Sequence, residues 1–365
     1  MSKEGACWGF GLVGCGVIAR EHARALTSLA NARLVAVTDV VAEKAKALAD
    51  QSSCEVVKDL DELLSRADVD AVSICVPSGL HAEIGVRAAE AGKHLVVEKP
   101  IDVTLEAADR LIAAVHANNV VMTVVSNRRF LPGAQQVHDL IKEGRLGRLL
   151  VGDARVKWYR SQAYYDGDAW RGTWALDGGG ALMNQGVHYV DLLRWCMGPV
   201  REVSAVCVTV DHDIEVEDVA LAHLLFGSGA IGSIEVSTCI YPGLTECLEI
   251  SGSDGTVVLE NDALVLRSLR SEQGEPGPYG GKAATAQGAA SSVAADPAAA
   301  VGNSHARQIA DFLGAIEEGR EPLMSGAEGR AALEVILAIY QSARRRGPVS
   351  LPLDLPSNDG ANLLV

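Results

Sequence analysis

Apolar residues in the first third of the chain come in short unbroken runs: WGFGLV (8–13), RLVAVT (33–38), VDAVSICV (69–76), KHLVVE (93–98) and VVMTVV (120–125). Between them lie stretches of helical spacing such as VIAREHARALTSL, HAEIGVRAAEAG and LEAADRLIAAVHAN. Strands that stay apolar without alternating are covered on both faces, and helices between them make the sheet parallel. The pattern predicts a doubly wound α/β domain over residues 5–126. The second half changes character. GRLLVGDARVKWYR, REVSAVCVTVDH, DVALAHLLF, AIGSIEVSTCI, ECLEISGS and GTVVLE follow one another with short turns and partial alternation. That predicts a predominantly antiparallel sheet in an α+β domain over 127–350, then a tail at 351–365. Helices at about 134–143, 180–196, 303–318 and 326–345 are expected to cover one face of this sheet. Residues 271–300 are rich in Ala, Gly, Ser and Pro and read as a flexible surface loop, with a lid or an oligomer contact as the alternative.

Composition narrows the class. With 365 residues and 48% hydrophobic content, the chain can fill two cores. A net charge of −15 argues against nucleic acid and anionic membrane surfaces as partners, while leaving room for a local cationic site. Eight cysteines without a CxxC spacing read as reduced thiols, with no disulfide frame and no metal centre. No signal-peptide pattern and no membrane-length apolar run is visible, so a cytoplasmic protein is expected.

Two places carry chemistry. The first strand runs into GCGVIA, where Gly14, Gly16 and Ala19 form G-x-G-x-x-A at the opening of a helix. Such small residues permit a tight turn, close approach of a pyrophosphate and close helix–strand packing. Asp39, at the end of the second strand, suits a ribose hydroxyl and would repel a 2′-phosphate, so NAD is expected over NADP. Glu98, Lys99 and Pro100 end a buried strand, the edge where open α/β sheets bind ligands. Farther on, LDGGGALMNQGVHYVDLLRW (176–195) runs three glycines into an apolar helix bearing Asn184, His188 and Asp191. Asn184 and His188, four apart, share a helix face. The absent side chains of Gly178, Gly179 and Gly180 are expected to leave room for a substrate or the nicotinamide.

In order, GLVGCGVIA, CVPSGLHAE, VVEKPI, VVSNRRF and GGGALMNQGVHYVDLL make almost the whole chain resemble the Gfo/Idh/MocA oxidoreductases. The resemblance implies a Rossmann domain, an open-faced sheet domain through which members often oligomerise, and hydride transfer between NAD(P) and a hydroxyl carbon of a sugar or cyclitol. It makes Lys99 and His188 the catalytic pair. It places Val17, Ile18, Pro77, Ser78, His81, Glu98, Lys99, Pro100 and Asn127 with Gly14, Gly16 and Asp39 around the cofactor. Histidine titrates near neutrality, so His188 is the natural base, with Lys99 stabilising alkoxide charge unless burial makes it the base. Asn184 departs from the aspartate of the family's inositol dehydrogenases. N-x-G-x-H and VKWYRSQAYYDGDAWRGTWALDGGG look more like members that oxidise sugar nucleotides at C-3, such as UDP-N-acetylglucosamine or its uronic acid. The substrate candidates are Lys99, Asn184 and His188 with Arg128, Lys157, Tyr159, Arg160, Tyr164, Tyr165, Arg171 and Trp174, the aromatic and cationic ones suiting a sugar face and an anionic tail. An inositol or free-sugar dehydrogenase, an NAD-retaining glycosidase and a non-catalytic dinucleotide-binding regulator remain the alternatives, and a homodimer or homotetramer is expected.

Overall fold

The computed structural model describes residues 7–273, 280 and 304–354; most of the 271–300 segment and the tail from 355 onward lie outside the described residues. The chain forms two compact units, one of Met1–Asn127, Ala175–Gly178 and Asn303–Leu333, the other of Arg128–Trp174, Gly179–Gly302 and Glu334–Val365.

The first unit is built on β1 (Trp8–Val13), α1 (Val17–Ser28), β2 (Ala32–Thr38), α2 (Ala42–Ser52), β3 (Glu55–Val56), α3 (Leu60–Ser65), β4 (Ala71–Ile74), α4 (His81–Glu90), β5 (His94–Val97), α5 (Leu105–Ala117) and β6 (Met122–Val124). Its sheet has the order β3-β2-β1-β4-β5-β6, and every pairing is parallel. All of β1, β4 and β6 is buried, which is why these strands read as continuous apolar runs. The order reverses between β1 and β4, where such sheets open a ligand crevice beyond their carboxyl ends. One expectation fails here. The helix Ser304–Glu318 belongs to this unit: its Ala306, Ile309, Phe312 and Leu313 share a core with Trp8, Phe10, Leu26 and Val96. Its periodicity fixed an apolar stripe, and a stripe does not name the sheet it covers.

The second unit contains α6 (Pro132–Lys142), β7 (Leu149–Lys157), α7 (Gln162–Asp166), α8 (Val187–Met197), β8 (Val200–Val208), β9 (Val219–Phe226), β10 (Ile231–Ser237), β11 (Cys247–Gly252), β12 (Gly255–Glu260), β13 (Ala263–Leu269) and β14 (Val349–Ser350). The eight strands run β13-β12-β11-β7-β10-β9-β8-β14, antiparallel except for the parallel pair β7–β10. A π-helical turn, Ala181–Gly186, leads directly into α8. A Cβ at Gly152 of β7 would press on Met197 and Leu193, and one at Gly186 on Val236 of β10. These contacts seat the helix against the face of the sheet formed by Gly152, Ala154 and Val156 of β7 with Ile234 and Val236 of β10. Side chains alternate along strands, so Lys157, Val206, Leu221 and Ile231 face the other way.

Candidate functional site

At the end of β1, Gly14 adopts φ +86°, and a Cβ there would lie 2.5 Å from the Cys75 carbonyl oxygen that follows β4. Only glycine allows this turn and this approach together. Gly16 differs: a Cβ there would meet no protein atom within 4 Å. Nothing in the unit itself demands glycine at that position, as expected where backbone must admit a ligand. Gly16 is the N-cap of α1, with no side-chain cap and no acidic residue in the first turn, so the helix start suits an anion. Val17 is 78% exposed beside it, and Ala19 is fully buried under the turn. Asp39 closes the far side: Cys15 N–H donates to Oδ2 (2.6 Å) and Val41 N–H to Oδ1 (2.7 Å), holding the carboxylate at the end of β2. Burial first, then the Asp39 charge, push the Cys15 thiol up to about 12, so it stays neutral. A glycine turn, a helix start suited to an anion and a carboxylate held at the end of β2 together fit a dinucleotide.

Lys99 follows β5 in a cis Lys99–Pro100 turn. Two histidines brace it from within. His22 is fully buried, with Nδ1 2.5 Å from Ser73 Oγ and Nε2 2.8 Å from Glu98 Oε1; Glu98 Oε2 accepts the Lys99 N–H at 3.1 Å. His81 sits with Nδ1 2.7 Å from the Pro100 carbonyl and Nε2 2.9 Å from that of Val76. The buried rings and carboxylate correct two expectations. Glu98 is turned inward to His22, and both ring nitrogens of His81 face backbone, so these residues support the turn from behind. Burial opposes charge on Glu98, yet hydrogen bonding and the charge of His22 prevail and hold its carboxyl down to about 2. Burial likewise opposes a charged His22, and its hydrogen bonds and neighbouring acidic groups raise it to about 10. His305 packs beside this pair, 5.3 Å from the His22 ring, with Asn127 Nδ2 3.3 Å from its Nδ1. Asn127 and Ser78 are themselves buried, whereas Pro77 and Lys99 are partly open.

In the second unit, every residue from Ala181 to Leu193 is buried except Asn184 and His188. An otherwise sealed helix thus opens at Asn184 and His188. π-helical turns recur at functional sites because they shift side chains out of regular register. Asp191, one turn on, takes no part in that opening: it is buried in a two-pronged pair with Arg129, at 2.7 Å and 2.5 Å. The glycines before the helix overturn their expected role. A Cβ at Gly178 would meet Val103 at 2.5 Å, at Gly179 Tyr340 Oη at 2.2 Å, and at Gly180 the Glu217 carbonyl oxygen at 1.7 Å. They are small because protein fills the space, not because a ligand does.

Of the aromatic and cationic candidates, three form a continuous row. Arg160 lies over Trp158 (5.0 Å) and Tyr164 (5.4 Å), and Arg171 over Tyr164 (4.3 Å) and Trp170 (4.8 Å). Gln185 Nε2 donates to Tyr164 Oη at 3.3 Å, tying the row to the helix beside Asn184. Arg171 is paired with Asp168, while no carboxylate among the described residues pairs with Arg160. Trp158, Trp170 and Gln185 escaped the sequence reading, although the aromatics lie in the same stretch. Tyr159 is exposed and meets Tyr241 edge-on, and Trp174 meets Tyr340 edge-on. Three candidates are spent elsewhere. Arg128 is buried between Glu246 (2.9 Å) and Asp262 (2.5 Å) beneath Tyr189, so its charge is already neutralised. Lys157 pairs with Glu235 on the sheet face opposite α8. Tyr165 is a core residue whose hydroxyl lies 2.8 Å from Thr238 Oγ1.

Known proteins resemble this chain over nearly its whole length. Residues 8–126 match the oxidoreductase family with an NAD-binding Rossmann fold, and residues 134–258 match the GFO/IDH/MocA C-terminal domain. The inositol 2-dehydrogenase of Rhizobium meliloti is 30% identical, over 94% of this chain and 98% of its own. The levoglucosan dehydrogenase of Pseudarthrobacter phenanthrenivorans is 27% identical, over 94% and 97%. Among solved structures, the WlbA dehydrogenase of Bordetella pertussis in complex with NADH and UDP-GlcNAcA superposes with a TM-score of 0.84 at 33% identity, over 96% of this chain and 99% of that one. With one family model matching residues 8–126, another matching residues 134–258 and a 30%-identical relative covered over nearly its whole length, the chain belongs to the Gfo/Idh/MocA family of NAD-binding oxidoreductases.

Proposed function

We propose that this dehydrogenase oxidises a ring secondary hydroxyl, at C-3, of a sugar nucleotide, using NAD. When bound, NAD supplies the hydride acceptor. The hydroxyl proton passes to His188, imidazole being a side chain suited to general-base work at neutral pH. Lys99 donates a hydrogen bond to the same oxygen and stabilises negative charge as it develops there. Asn184 orients the hydroxyl without accepting its proton. The observation that carries the sugar-nucleotide reading is the row Trp158, Arg160, Tyr164, Arg171 and Trp170, with Arg160 unpaired by any described carboxylate. Stacked guanidinium groups suit an anionic tail, and the rings suit a sugar face. NAD is favoured because the Asp39 carboxylate would repel a 2′-phosphate, and the next residue, Val40, is fully exposed and uncharged.

The test is spectrophotometric. Purified protein is incubated with NAD or NADP and, separately, UDP-GlcNAcA, UDP-N-acetylglucosamine, levoglucosan or myo-inositol. The expected result is NADH formation with a uridine-diphosphate sugar, with NAD preferred over NADP by at least about tenfold, roughly 1.4 kcal/mol. Lys99→Ala should abolish turnover while leaving NADH affinity nearly unchanged. Turnover of myo-inositol alone would overturn the sugar-nucleotide reading. Release of an aglycone from a chromogenic glycoside without net NADH would point to a glycosidase that retains its NAD.

A further inference from the structure

Glu217 lies in EVED, just before β9, and no part of the proposed chemistry uses it. It is 3% exposed, yet it meets four donors. Its Oε2 accepts the Gly180 N–H at 2.9 Å, and its Oε1 accepts the Leu182 N–H at 2.7 Å and the Tyr340 hydroxyl at 3.0 Å. Its backbone carbonyl accepts the Ala181 N–H at 3.0 Å. One residue therefore takes three successive N–H groups at the start of the helix, groups that have no partner within a helix.

We propose that Glu217 is the positioning residue of the helix that carries Asn184 and His188. The path is short and covalently continuous. Gly180, held by the carboxylate, accepts the Asn184 N–H at 3.0 Å, the first helical bond, and His188 follows one turn later. The two preceding glycines make this docking possible, since a Cβ at Gly180 would strike the Glu217 carbonyl oxygen and one at Gly179 would strike the Tyr340 hydroxyl. The sealed surroundings make the helix move as one piece, because nearly every other residue between Ala181 and Leu193 is packed against protein. A shift at its entrance therefore displaces both polar side chains. The neighbouring Asp218 serves the loop in the same manner. It accepts from Val210, Asp211 and His212 N–H at 2.8, 2.9 and 3.0 Å, and the His212 ring in turn meets the Arg160 carbonyl at 2.8 Å. Glu217 and Asp218 together place the helix pair and the start of the cationic row.

This inference rests on the proposed roles of Asn184 and His188, so its test has one arm that needs no turnover. Glu217→Gln keeps the shape but presents an N–H where an oxygen accepted one, and Tyr340→Phe deletes one donor without opening a cavity. Amide hydrogen exchange of the full chain with NADH bound should rise at least about tenfold for residues 180–188 in Glu217→Gln, and less in Tyr340→Phe, with 8–16 unchanged. Kinetically, Glu217→Gln should lower kcat at least about tenfold with whichever of UDP-GlcNAcA, levoglucosan or myo-inositol the natural protein oxidises. The affinity for NADH should change less than about twofold. Should Glu217→Gln not fold, Tyr340→Phe alone decides. Unchanged exchange at 180–188, or full kcat in a folded variant, overturns the inference. A natural protein inactive on all three probes and on UDP-N-acetylglucosamine, with the exchange rise intact, overturns the substrate reading and leaves the positioning role standing.

Discussion

His22 shows how much a single buried ionisable side chain can set in this protein. Its ring is fully enclosed, and the Glu98 carboxylate is its charge partner. Removing one member of such a pair leaves the other charged and unsolvated, so His22→Gln should lower the unfolding free energy by about 3–5 kcal/mol. The pH dependence has a definite sign. Glu98 falls from 4.5 to about 2 on folding, so its contribution is complete above 4.5 and is lost as pH drops toward 2. His22 rises from 6.5 to about 10, so its contribution is complete below 6.5 and is lost as pH climbs toward 10. His305 falls from 6.5 to about 4, mainly through burial and then the neighbouring His22 charge, so it resists protonation and costs stability as pH drops below 6.5. The three together stabilise most near pH 6.5. Urea unfolding of the natural protein should show a midpoint that declines from pH 6.5 toward 10, and His22→Gln should flatten that decline. An equal decline in both would assign the alkaline loss to other groups. None of this is visible in the sequence, where His22 is one of several polar residues in an amphipathic helix and nothing marks its distant partner.

Among the elements, the helix Val187–Met197 depends on an anchor as well as on the π-helical turn that Glu217 holds before it. Arg129 and Asp191 are both buried, and the guanidinium also lies 5.2 Å over the Trp195 ring, on which His138 stacks at 3.9 Å. Asp191→Asn should destabilise the protein by about 3–5 kcal/mol, whereas the double variant Arg129→Met with Asp191→Leu should recover much of that loss, because burying apolar groups of similar size needs no charge partner. Chemical denaturation of the three proteins checks both expectations; a double variant no better than Asp191→Asn would mean that the guanidinium packing, not its charge, matters. The parallel strands and the helix carrying Asn184 and His188 were legible because apolar runs and helical spacing report burial directly. The strand Ala263–Leu269 was not, since much of it is only half-buried and its LVLRSL lacks clean alternation. The spacing over Ser304–Glu318 predicts a helix but not the sheet it covers, and three glycines predict open space where the structure has protein. Both misreadings have one cause: local pattern says that a face is buried or a side chain absent, and only tertiary contact says by what.

At the scale of the whole molecule, net charge and a sheet face whose apolar residues are exposed among the described residues pull in opposite directions. A charge of −15 makes two copies repel, though salt confines that repulsion to about 8 Å at physiological ionic strength. Against it stands the sheet face turned away from α8. Val206 (60% exposed) lies directly across from Leu221 (47%), and Val208 (41%) across from Val219. Farther along, Ile231 (55%) pairs with Leu225 on one side and Val151 on the other. Two apolar clusters are thus separated by the polar rung His223, Ser233 and Asp153. Isolated exposed apolar residues are ordinary, but neighbouring rows on adjacent strands mark a surface that is covered in use. A second copy presenting the same face would set apolar clusters together and bury the rung, so the protein is expected to be a dimer, or a tetramer built from such dimers. Light scattering after size exclusion should give at least twice the chain mass at micromolar concentration. Leu221→Lys with Ile231→Lys should yield monomers that keep the affinity of the Rossmann unit for NADH, because neither residue belongs to that unit. Added salt should strengthen the natural assembly, since it screens the like charges while leaving apolar burial in place. A natural protein that runs as a monomer, or a double variant that stays assembled, would move the interface off this sheet.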